Sequence, residues 1–370
     1  MADLRTLYTN INVGAFPDRV DLMGVGFEKV TDLRYGTNPH QPAAYYRPVN
    51  ATGLPLGNHR VLKEGKNGLS QTNLEDMHGA LAILKYADGP AVVVMKHVNP
   101  SGAAVGKASD ELRAVYVRAR DCDPQAAFGS VVGINRSVDL ATAEEIMTSV
   151  VECVIAPGFD DGTMAIFDDS RRFGRNKDIR IIEAPHMNNL PRFVGDDCPH
   201  LDIKVLGDGS VVIAQPFLSG IRSVADLKPA TTVHRQLGEL RTERTPTEQE
   251  AKDLLFAWHT AFSVRSNAVV IARNGVTLSV GTGQQDRVGA VEQAIDKYQR
   301  KYRGTERIEG AVLASDGYIP FRDSVDLAAR VGISAIVQPG GSLRDADCIS
   351  ACNEHSIALV FTGERCFSHH

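Results

Sequence analysis

Lys96 and His97 end the apolar, β-branched run Ala91–Met95 and precede an Asn-Pro-Ser-Gly segment at 99–102. Functional side chains of α/β proteins often stand where a strand gives way to a loop. An imidazole titrates near neutral pH and can accept a proton, while a neighbouring ammonium stabilises a developing oxyanion. Most Lys-His pairs are simply solvated residues closing an edge strand. Here the Pro- and Gly-containing segment predicts a shaped loop, and the pair indicates acyl-type transfer.

Two other patterns have a chemical and a structural interpretation. The glycine-rich segment at 281–285 could cradle a phosphate, or it is a tight turn that opens a helix near Asp286. Cys348 and Cys352 have helical spacing, but no partner set of His or carboxylate residues has a recognisable spacing beside them. We therefore predict core positions for both cysteines and no catalytic metal.

Two amphipathic helices precede the candidate strands. Capping boxes are predicted at Thr72 with Glu75 and at Thr247 with Glu250, and the second helix leads into a strand at Ala268–Ala272. Alternating helices and β-rich runs predict a sheet covered on both faces. The apolar positions predicted to be buried are Leu74, Met77, Leu81 and Leu84 in the first helix and Leu254, Leu255, Trp258 and Phe262 in the second.

The chain contains signs of an internal duplication. SVDLA occurs at 137–141 and again at 324–328, and in both places a helical stretch and a Pro-Gly pair follow. Short identities also arise by chance from common strand and helix patterns, although the similar separations favour two related units. We predict an N-terminal extension (1–26), a first unit (27–158), a small connecting region (159–240) and a second unit (241–370).

Composition excludes several classes of protein. The 370 residues carry a net charge of −5, with a pI near 6.1, so nucleic-acid and anionic-membrane partners have no support. No apolar run approaches the ~20 residues that cross a bilayer. Six cysteines without paired short spacing, and an N-terminus without a secretion signal, predict a cytoplasmic protein.

Six segments in order carry a resemblance to a known family. They are RYGTNPHQ at 34–41, MKHVNPSGAAVG at 95–106, SNAV at 266–269, GTGQQDR at 281–287, PFRDSVD at 320–326 and QPGGS at 338–342. Together they resemble the formyltransferase half of the bifunctional purine-biosynthesis enzymes, from about Arg34 to the C-terminus. The resemblance implies transfer of a formyl group from 10-formyltetrahydrofolate to aminoimidazole carboxamide ribonucleotide (AICAR).

The resemblance also implies roles for single residues. His97 matches the proton acceptor and Lys96 the transition-state-stabilising lysine, with His40 and Asn99 as further candidates near the substrate. Surface salt bridges are the simpler interpretation of most arginines, and an Arg322–Asp323 ion pair is the alternative for Asp323. The positions matching substrate contacts are Arg34, Tyr35, Gly129, Glu152, Asn267, Arg287, Tyr318 and Arg365, and those matching folate contacts are Val288, Asp323, Ser342 and Leu343. Two of them depart from the family pattern: some relatives have Asp at the position of Glu152, and relatives have Phe at the position of Tyr318.

The family's formyltransferase half is a pair of cytidine-deaminase-like α/β/α units, so the resemblance implies this α/β fold and a homodimer with sites shared between subunits. A zinc deaminase is set aside because its Cys and His motifs are missing. The family closes the purine ring in a separate N-terminal domain, for which the 33 residues before Arg34 are too few. We therefore expect no IMP cyclohydrolase activity and a separate cyclohydrolase downstream. A structural monovalent cation stays open, as do two alternatives: a silent nucleotide-binding homologue and a non-folate formyl donor.

Overall fold

A computed structural model of the chain describes residue 8, residue 11 and residues 13–369. Its strands are β1 (Arg19–Leu22), β2 (Val25–Leu33), β3 (Ala43–Pro48), β4 (Arg60–Lys63), β5 (Ala91–Lys96), β6 (Asn99–Val105), β7 (Ser130–Ile134), β8 (Val151–Ala156), β9 (Arg180–Glu183), β10 (Asp202–Val205), β11 (Val211–Ala214), β12 (Lys228–Pro229), β13 (Thr231–His234), β14 (Gly238–Arg241), β15 (Val269–Arg273), β16 (Val276–Gly281), β17 (Val312–Ser315), β18 (Ala335–Gln338) and β19 (Ala358–Phe361). Its α-helices are α1 (Gln71–Leu84), α2 (Leu112–Arg120), α3 (Pro124–Ala127), α4 (Leu140–Met147), α5 (Thr163–Asp168), α6 (Glu248–Ala261), α7 (Arg287–Lys301), α8 (Asp323–Arg330) and α9 (Asp345–Glu354).

Twelve strands form one mixed sheet in the order β12-β19-β18-β17-β15-β16-β6-β5-β7-β8-β9-β4. In the first half, β5 pairs antiparallel with both β6 and β7, and β7, β8 and β9 are parallel. In the second half, β15 pairs antiparallel with both β16 and β17, and β17, β18 and β19 are parallel. A short antiparallel strand, β4 or β12, closes each outer edge. The α/β prediction is confirmed, and the five main strands of the two halves pair in the same order.

The halves meet where β6 lies antiparallel to β16, with Ala104 opposite Val276. The Thr277 hydroxyl accepts a hydrogen bond from the Ala103 N–H at 2.8 Å and donates to the Ala103 carbonyl at 3.1 Å. The Val105 N–H donates to the Gly275 carbonyl at 2.8 Å. These bonds supply backbone partners where the ladder is shortest, so the sheet continues from one half into the other.

Helices cover both faces of the sheet, as predicted. Alternate side chains of β5 enter different cores: Val92 and Val94 pack with α2 and α4, whereas Val93 and Met95 pack with α1. The second half repeats this division, with α6 on one face and α7, α8 and α9 on the other. The predicted apolar stripe of α1 is buried throughout, and in α6 Leu254 and Trp258 are buried while Leu255 and Phe262 are partly so.

The helix starts agree with the prediction in one half and differ in the other. Helix α6 begins after Thr247, whose hydroxyl accepts from the Glu250 N–H, as the capping box predicted. Helix α1 begins after Ser70, and its box is formed with Asn73 rather than by Thr72 and Glu75. The Ser70 hydroxyl accepts from the Asn73 N–H at 3.2 Å, and the Asn73 side chain accepts from the Ser70 N–H at 3.1 Å. An amide side chain thus replaces the usual Glu or Gln.

The region 159–240 contributes strands to more than one sheet. Strands β9 and β12 join the large sheet, whereas β10 with β11 and β13 with β14 form separate two-stranded sheets. Within the predicted extension 1–26, β1 pairs with β2, but residues 1–7, 9, 10 and 12 lie outside the described part of the chain. Among the described helices, none combines the length and apolar character needed to span a lipid bilayer.

Candidate active site

The site residues of the first half gather at one edge of the large sheet. Lys96 ends β5, and because β5 is antiparallel to β7, with Met95 opposite Val131, it lies beside the start of β7. Strands β8 and β9 run parallel to β7, so their first residues share this edge. Glu152 is the second residue of β8, and Arg180 begins β9.

The site residues of the second half lie along the same edge. The start of β15 is paired with the end of β17, with Val269 opposite Ser315, and β18 and β19 are parallel to β17. Because β6 and β16 are antiparallel, the carboxyl ends of β17, β18 and β19 point to the edge at which β5 ends. This edge carries Asn267, Tyr318, Asp323, Ser342, Leu343 and Arg365.

The connection between β5 and β6 differs from the predicted loop. Lys96 pairs directly with Asn99, so the turn consists of His97 and Val98 alone, and the segment predicted as a loop at 99–102 belongs to β6. Both turn residues are left-handed, with φ of 53° and 59°. This is the pattern of a type I′ turn, which normally takes Asn and Gly. Left-handed backbone is rare for a β-branched residue, and such conformations cluster at functional sites.

The carboxylate of Asp76, in α1, accepts hydrogen bonds from the backbone of this turn. It accepts a hydrogen bond from the Val98 N–H at 2.6 Å and also interacts with the N–H of His97. Asp76 is 7% exposed, and burial raises its pKa, while the nearby charges of His97 and Lys96 act in the opposite direction. The sequence offered no signal for this residue, because the contact joins positions 22 residues apart.

Lys96 and Gly129 are in direct contact. The ammonium donates to the Gly129 carbonyl at 2.5 Å, and the Gly129 N–H donates to the Val150 carbonyl at 2.7 Å. Gly129 has φ of 68°, and a Cβ there would stand 3.1 Å from Lys96 Nζ. A side chain at this position would crowd the ammonium and would strain the left-handed backbone, which glycine adopts readily. His97 is exposed and Lys96 half-buried, so both can meet a ligand from solvent.

Three predicted substrate residues, Arg34, Tyr35 and Glu152, line one pocket of about 260 Å³, here called the arginine pocket. Arg34 is 6% exposed and donates to the Tyr35 hydroxyl at 3.0 Å. Its Nε is buried and has no hydrogen-bond partner among the described residues. A guanidinium that lines a pocket is suited to pair with a carboxylate or phosphate.

Sequence analysis missed Arg180 and Asn73, and it left Arg175 with the surface arginines. Arg180 lines the arginine pocket at 3% exposure, and burial together with the neighbouring Arg34 lowers its pKa. Arg175 also lines the pocket, whereas Asn73 donates to the Glu152 carboxylate at 3.1 Å. The lining side chains comprise the cations Arg34, Lys66, Arg175 and Arg180 and the carboxylates Glu152 and Asp178, an excess of positive charge. Such a pocket favours an anion.

A larger pocket of about 650 Å³ adjoins the arginine pocket. Val150 and Arg175 line both, and Phe128, which is 64% exposed, lines the larger one beside Gly129. Neither Lys96 nor His97 lines either pocket. The pair therefore lies outside both pockets, and Lys96 is connected to the lining residue Val150 through Gly129.

Arg287 lies in a buried ion pair in the second half. Its guanidinium donates to the Asp316 carboxylate at 2.5 Å, to the Ala268 carbonyl at 2.9 Å and to the Asn267 side chain at 2.8 Å. Arg287 is 5% exposed and Asp316 is fully buried. Two predicted substrate residues are thus bonded to each other, with Arg287 holding the amide of Asn267.

The remaining substrate candidates of the second half are open to solvent. Tyr318 is 49% exposed, and the exposed Arg365 stacks its guanidinium on Phe367, 4.7 Å from the ring centre. In the first half, His40 is exposed in the segment that follows Tyr35. Because about half of the surface of Tyr318 is exposed, this residue is not part of the core.

Asn99 links the two halves of the site within one chain. Its side-chain oxygen accepts from the Arg265 N–H at 2.9 Å, and its amide nitrogen donates to the His97 carbonyl at 3.0 Å. Arg265 precedes Asn267 by two residues, so the His97 turn is tied to the segment that carries Asn267.

The predicted folate residues lie on exposed ends of elements in the second half. Asp323 begins α8 and accepts from the Ser324 N–H at 2.6 Å, while Arg322 pairs with Asp326 and Glu354 instead. The alternative Arg322–Asp323 ion pair is therefore absent. Ser342 and Leu343 lie between β18 and α9, with Leu343 fully exposed, and Val288 is half-buried in α7.

The two cysteines with helical spacing lie in the core, and the glycine-rich segment leads into α7. Cys348 and Cys352 are buried, as predicted for core positions, and burial raises the pKa of the Cys348 thiol to about 12. Asp286 caps α7 at the end of the glycine-rich segment, in agreement with the predicted helix start. In the part of the chain that the structure describes, no three His, Cys, Asp or Glu side chains form a metal-binding group.

Comparison with known proteins identifies the same family that the six sequence segments resemble. The model of the AICARFT/IMPCHase bienzyme family matches residues 6–297. The bifunctional purine biosynthesis protein PurH of Magnetococcus marinus is 40% identical over 365 residues, covering 96% of this chain and 62% of the relative. PurH of Acetivibrio thermocellus is 38% identical over 366 residues, covering 98% of this chain and 63% of the relative. The chain spans less than two thirds of the length of these two proteins.

Proposed function

Because this chain belongs to the AICARFT/IMPCHase bienzyme family, we propose that it acts in purine biosynthesis by transferring the formyl group of 10-formyltetrahydrofolate to the 5-amino group of AICAR. The observation that carries the proposal is the Lys96–His97 pair, held at the sheet edge where the candidate site residues of both halves meet. Tetrahydrofolate and the formylated ribonucleotide are the products.

The reaction needs proton transfer and charge stabilisation. The AICAR amine is a weak nucleophile because its lone pair is delocalised, so it must lose a proton as its nitrogen bonds to the formyl carbon. His97 accepts that proton, and the Lys96 ammonium stabilises the oxyanion of the tetrahedral intermediate. Collapse breaks the bond to N10 of the folate, which leaves with a proton. The exposure of His97 supports this role, because a base must reach its substrate.

The arginine pocket is proposed to take the phosphate of AICAR. A dianionic phosphate pairs well with guanidinium groups, and Arg34 and Arg180 both line this pocket. Tyr35 and Glu152 line the same pocket, where Glu152 is suited to accept hydrogen bonds from ribose hydroxyls. Arg287 contributes through Asn267, whose amide it holds.

Folate is proposed to bind along the second half, with the Asp323 carboxylate accepting from the amino and amide edge of the pterin and Val288, Ser342 and Leu343 nearby. Tyr318 and Arg365 flank the heterocycle and the nucleotide. We propose in addition that the chain is a cytoplasmic homodimer and that its two halves are cytidine-deaminase-like units.

A catalytically silent nucleotide-binding homologue is the second candidate. The left-handed His97–Val98 turn argues against it, because a protein without chemistry at this position gains nothing from a strained turn. The test is to incubate the protein with AICAR and 10-formyltetrahydrofolate and to follow tetrahydrofolate release. Release that requires both substrates supports the proposal. Calorimetric binding of AICAR without release would instead support the silent homologue, and nucleotide formylation only with another donor would exclude folate.

A further inference from the structure

Asp76 stands in the same relation to the His97–Val98 turn as Asp253 does to a turn in the second half. We propose that Asp76 is a positioning residue for His97. This proposal rests on the formyl transfer proposed above. Its carboxylate fixes the backbone from which the imidazole projects.

The two aspartates occupy equivalent places in the fold. Asp76 and Asp253 are each the sixth residue of a 14-residue helix, α1 or α6, that precedes an antiparallel hairpin. The Asp253 carboxylate accepts from the Asn274 N–H at 2.8 Å and from the Gly275 N–H at 2.7 Å. These two residues form the complete turn between β15 and β16. In each half, a buried carboxylate therefore accepts hydrogen bonds from the backbone of a two-residue left-handed turn.

The turns differ in the residues that they contain. Asn274 and Gly275, with φ of 52° and 70°, are the residue types that this turn favours. His97 and Val98 hold the same conformation against their preference, since left-handed backbone brings the Cβ of an L-residue too close to its own carbonyl. The hydrogen bonds of Asp76 therefore maintain a turn that would otherwise relax. The hydrogen bonds of Asp253, by contrast, support a turn that forms readily.

Helix α1 also couples the turn to the arginine pocket. Asn73 precedes Asp76 by three residues, so both lie on the same face of the helix. Asn73 holds Glu152 in the pocket while Asp76 holds the N–H of Val98. One helical turn thus sets the position of His97 relative to Glu152.

The test compares Asp76→Ala with its matched control Asp253→Ala. We expect Asp76→Ala to lower kcat by about 10- to 100-fold with KM changed less than about threefold, because misplacement of a catalytic group by about 1 Å costs up to 100-fold. Asp253→Ala loses equivalent bonds and is expected to keep kcat within about threefold. The double variant Asp76→Ala/Val98→Gly is expected to regain at least tenfold in kcat, since glycine adopts the turn without support.

A structural readout separates failure of this proposal from failure of the proposed function. Amide hydrogen exchange at Val98, followed by NMR, should accelerate in Asp76→Ala, because the carboxylate that accepts this N–H is lost, whether or not the protein transfers formyl groups. Unchanged exchange in Asp76→Ala would overturn the positioning role, and so would a kcat at the wild-type level. An equal loss of kcat in Asp253→Ala would show a general effect on folding and would also overturn it.

Discussion

The ammonium of Lys96 lies 2.5 Å from the backbone carbonyl oxygen of Gly129, a glycine that cannot carry a side chain without crowding that ammonium. The carbonyl holds Lys96 at the edge of the sheet while the charge itself stays available to an oxyanion. Because a fixed donor stabilises charge only in the transition state, Lys96→Ala should lower kcat by about 10²- to 10³-fold. The loss of kcat is measured from the steady-state rate of tetrahydrofolate release.

Arg273 provides the matched control for Lys96. It ends β15 as Lys96 ends β5, and its guanidinium donates to the backbone carbonyls of Arg307 and Glu309. Arg273→Ala should leave kcat within about threefold. Equal losses in the two variants would contradict a specific role for Lys96.

Val98→Gly should stabilise the protein. Replacing Val removes a left-handed β-branched residue, worth about 1–2 kcal/mol, while the greater freedom of glycine in the unfolded chain offsets part of this gain. The free energy of unfolding in urea should therefore rise by about 0.5–1 kcal/mol. The reverse change, Gly275→Val, should lower it by about 2 kcal/mol, because φ is 70° and a Cβ would stand 2.8 Å from the Val105 carbonyl oxygen. A loss of stability in Val98→Gly would show that the turn is unstrained.

Asp316→Asn should be strongly destabilising. Asp316 is fully buried and pairs with Arg287, so neutralising it leaves a buried guanidinium without its counter-charge. We expect a loss of about 3 kcal/mol in the free energy of unfolding, measured in urea. The exposed pair Arg322–Asp326 is the control, since Arg322→Ala should barely move the urea midpoint. If Asp316→Asn unfolds like the wild type, the pair has no structural importance.

Arg34→Ala should weaken nucleotide binding more than catalysis. Removing a guanidinium that lines the arginine pocket should raise KM for AICAR by about 10- to 100-fold, with kcat within about threefold. Arg60→Ala removes an exposed arginine that pairs with Glu183 outside the pocket, and should leave KM unchanged. A matching rise in KM for both variants would indicate a general electrostatic effect and would contradict a phosphate site at Arg34.

Stability should fall on the acid side partly through His259. This imidazole lies 3.0 Å from the Ile221 carbonyl and stacks on Tyr86, and burial lowers its pKa from 6.5 to about 4. Between these values the unfolded chain binds a proton that the folded protein does not bind. The free energy of unfolding therefore decreases as the pH falls from about 6.5 to 4, by up to about 3 kcal/mol. His259→Phe should flatten this part of the profile, and an unchanged slope would contradict the assignment.

Local sequence patterns predicted the ends of those elements that are set by apolar runs and capping residues. The end of β5 at Lys96, the cap of α6 at Thr247 and the start of α7 after Asp286 follow from apolar runs and capping residues. The turn at His97 and Val98 could not be predicted, because these residues disfavour the conformation that they hold.

The glycine that suggested a loop has another role. A Cβ on Gly102 would collide with the carbonyl oxygen of Ala119, so this glycine lets α2 approach β6. Asp76 and Arg180 lacked any local signal, since their contacts with Val98 and with the loop at 66–68 join distant parts of the chain. The family motifs, by contrast, identified residues that share the sheet edge.

The most direct test transplants the relaxed turn of the second half into the first. The variant His97→Asn/Val98→Gly carries the residues of the Asn274–Gly275 turn, and its tetrahydrofolate release from AICAR and 10-formyltetrahydrofolate is compared with that of the wild type. The wild type should release tetrahydrofolate, and the variant should be at least as stable in urea yet release at least 100-fold less. Equal release by the two proteins, or none by the wild type, would contradict formyl transfer through His97.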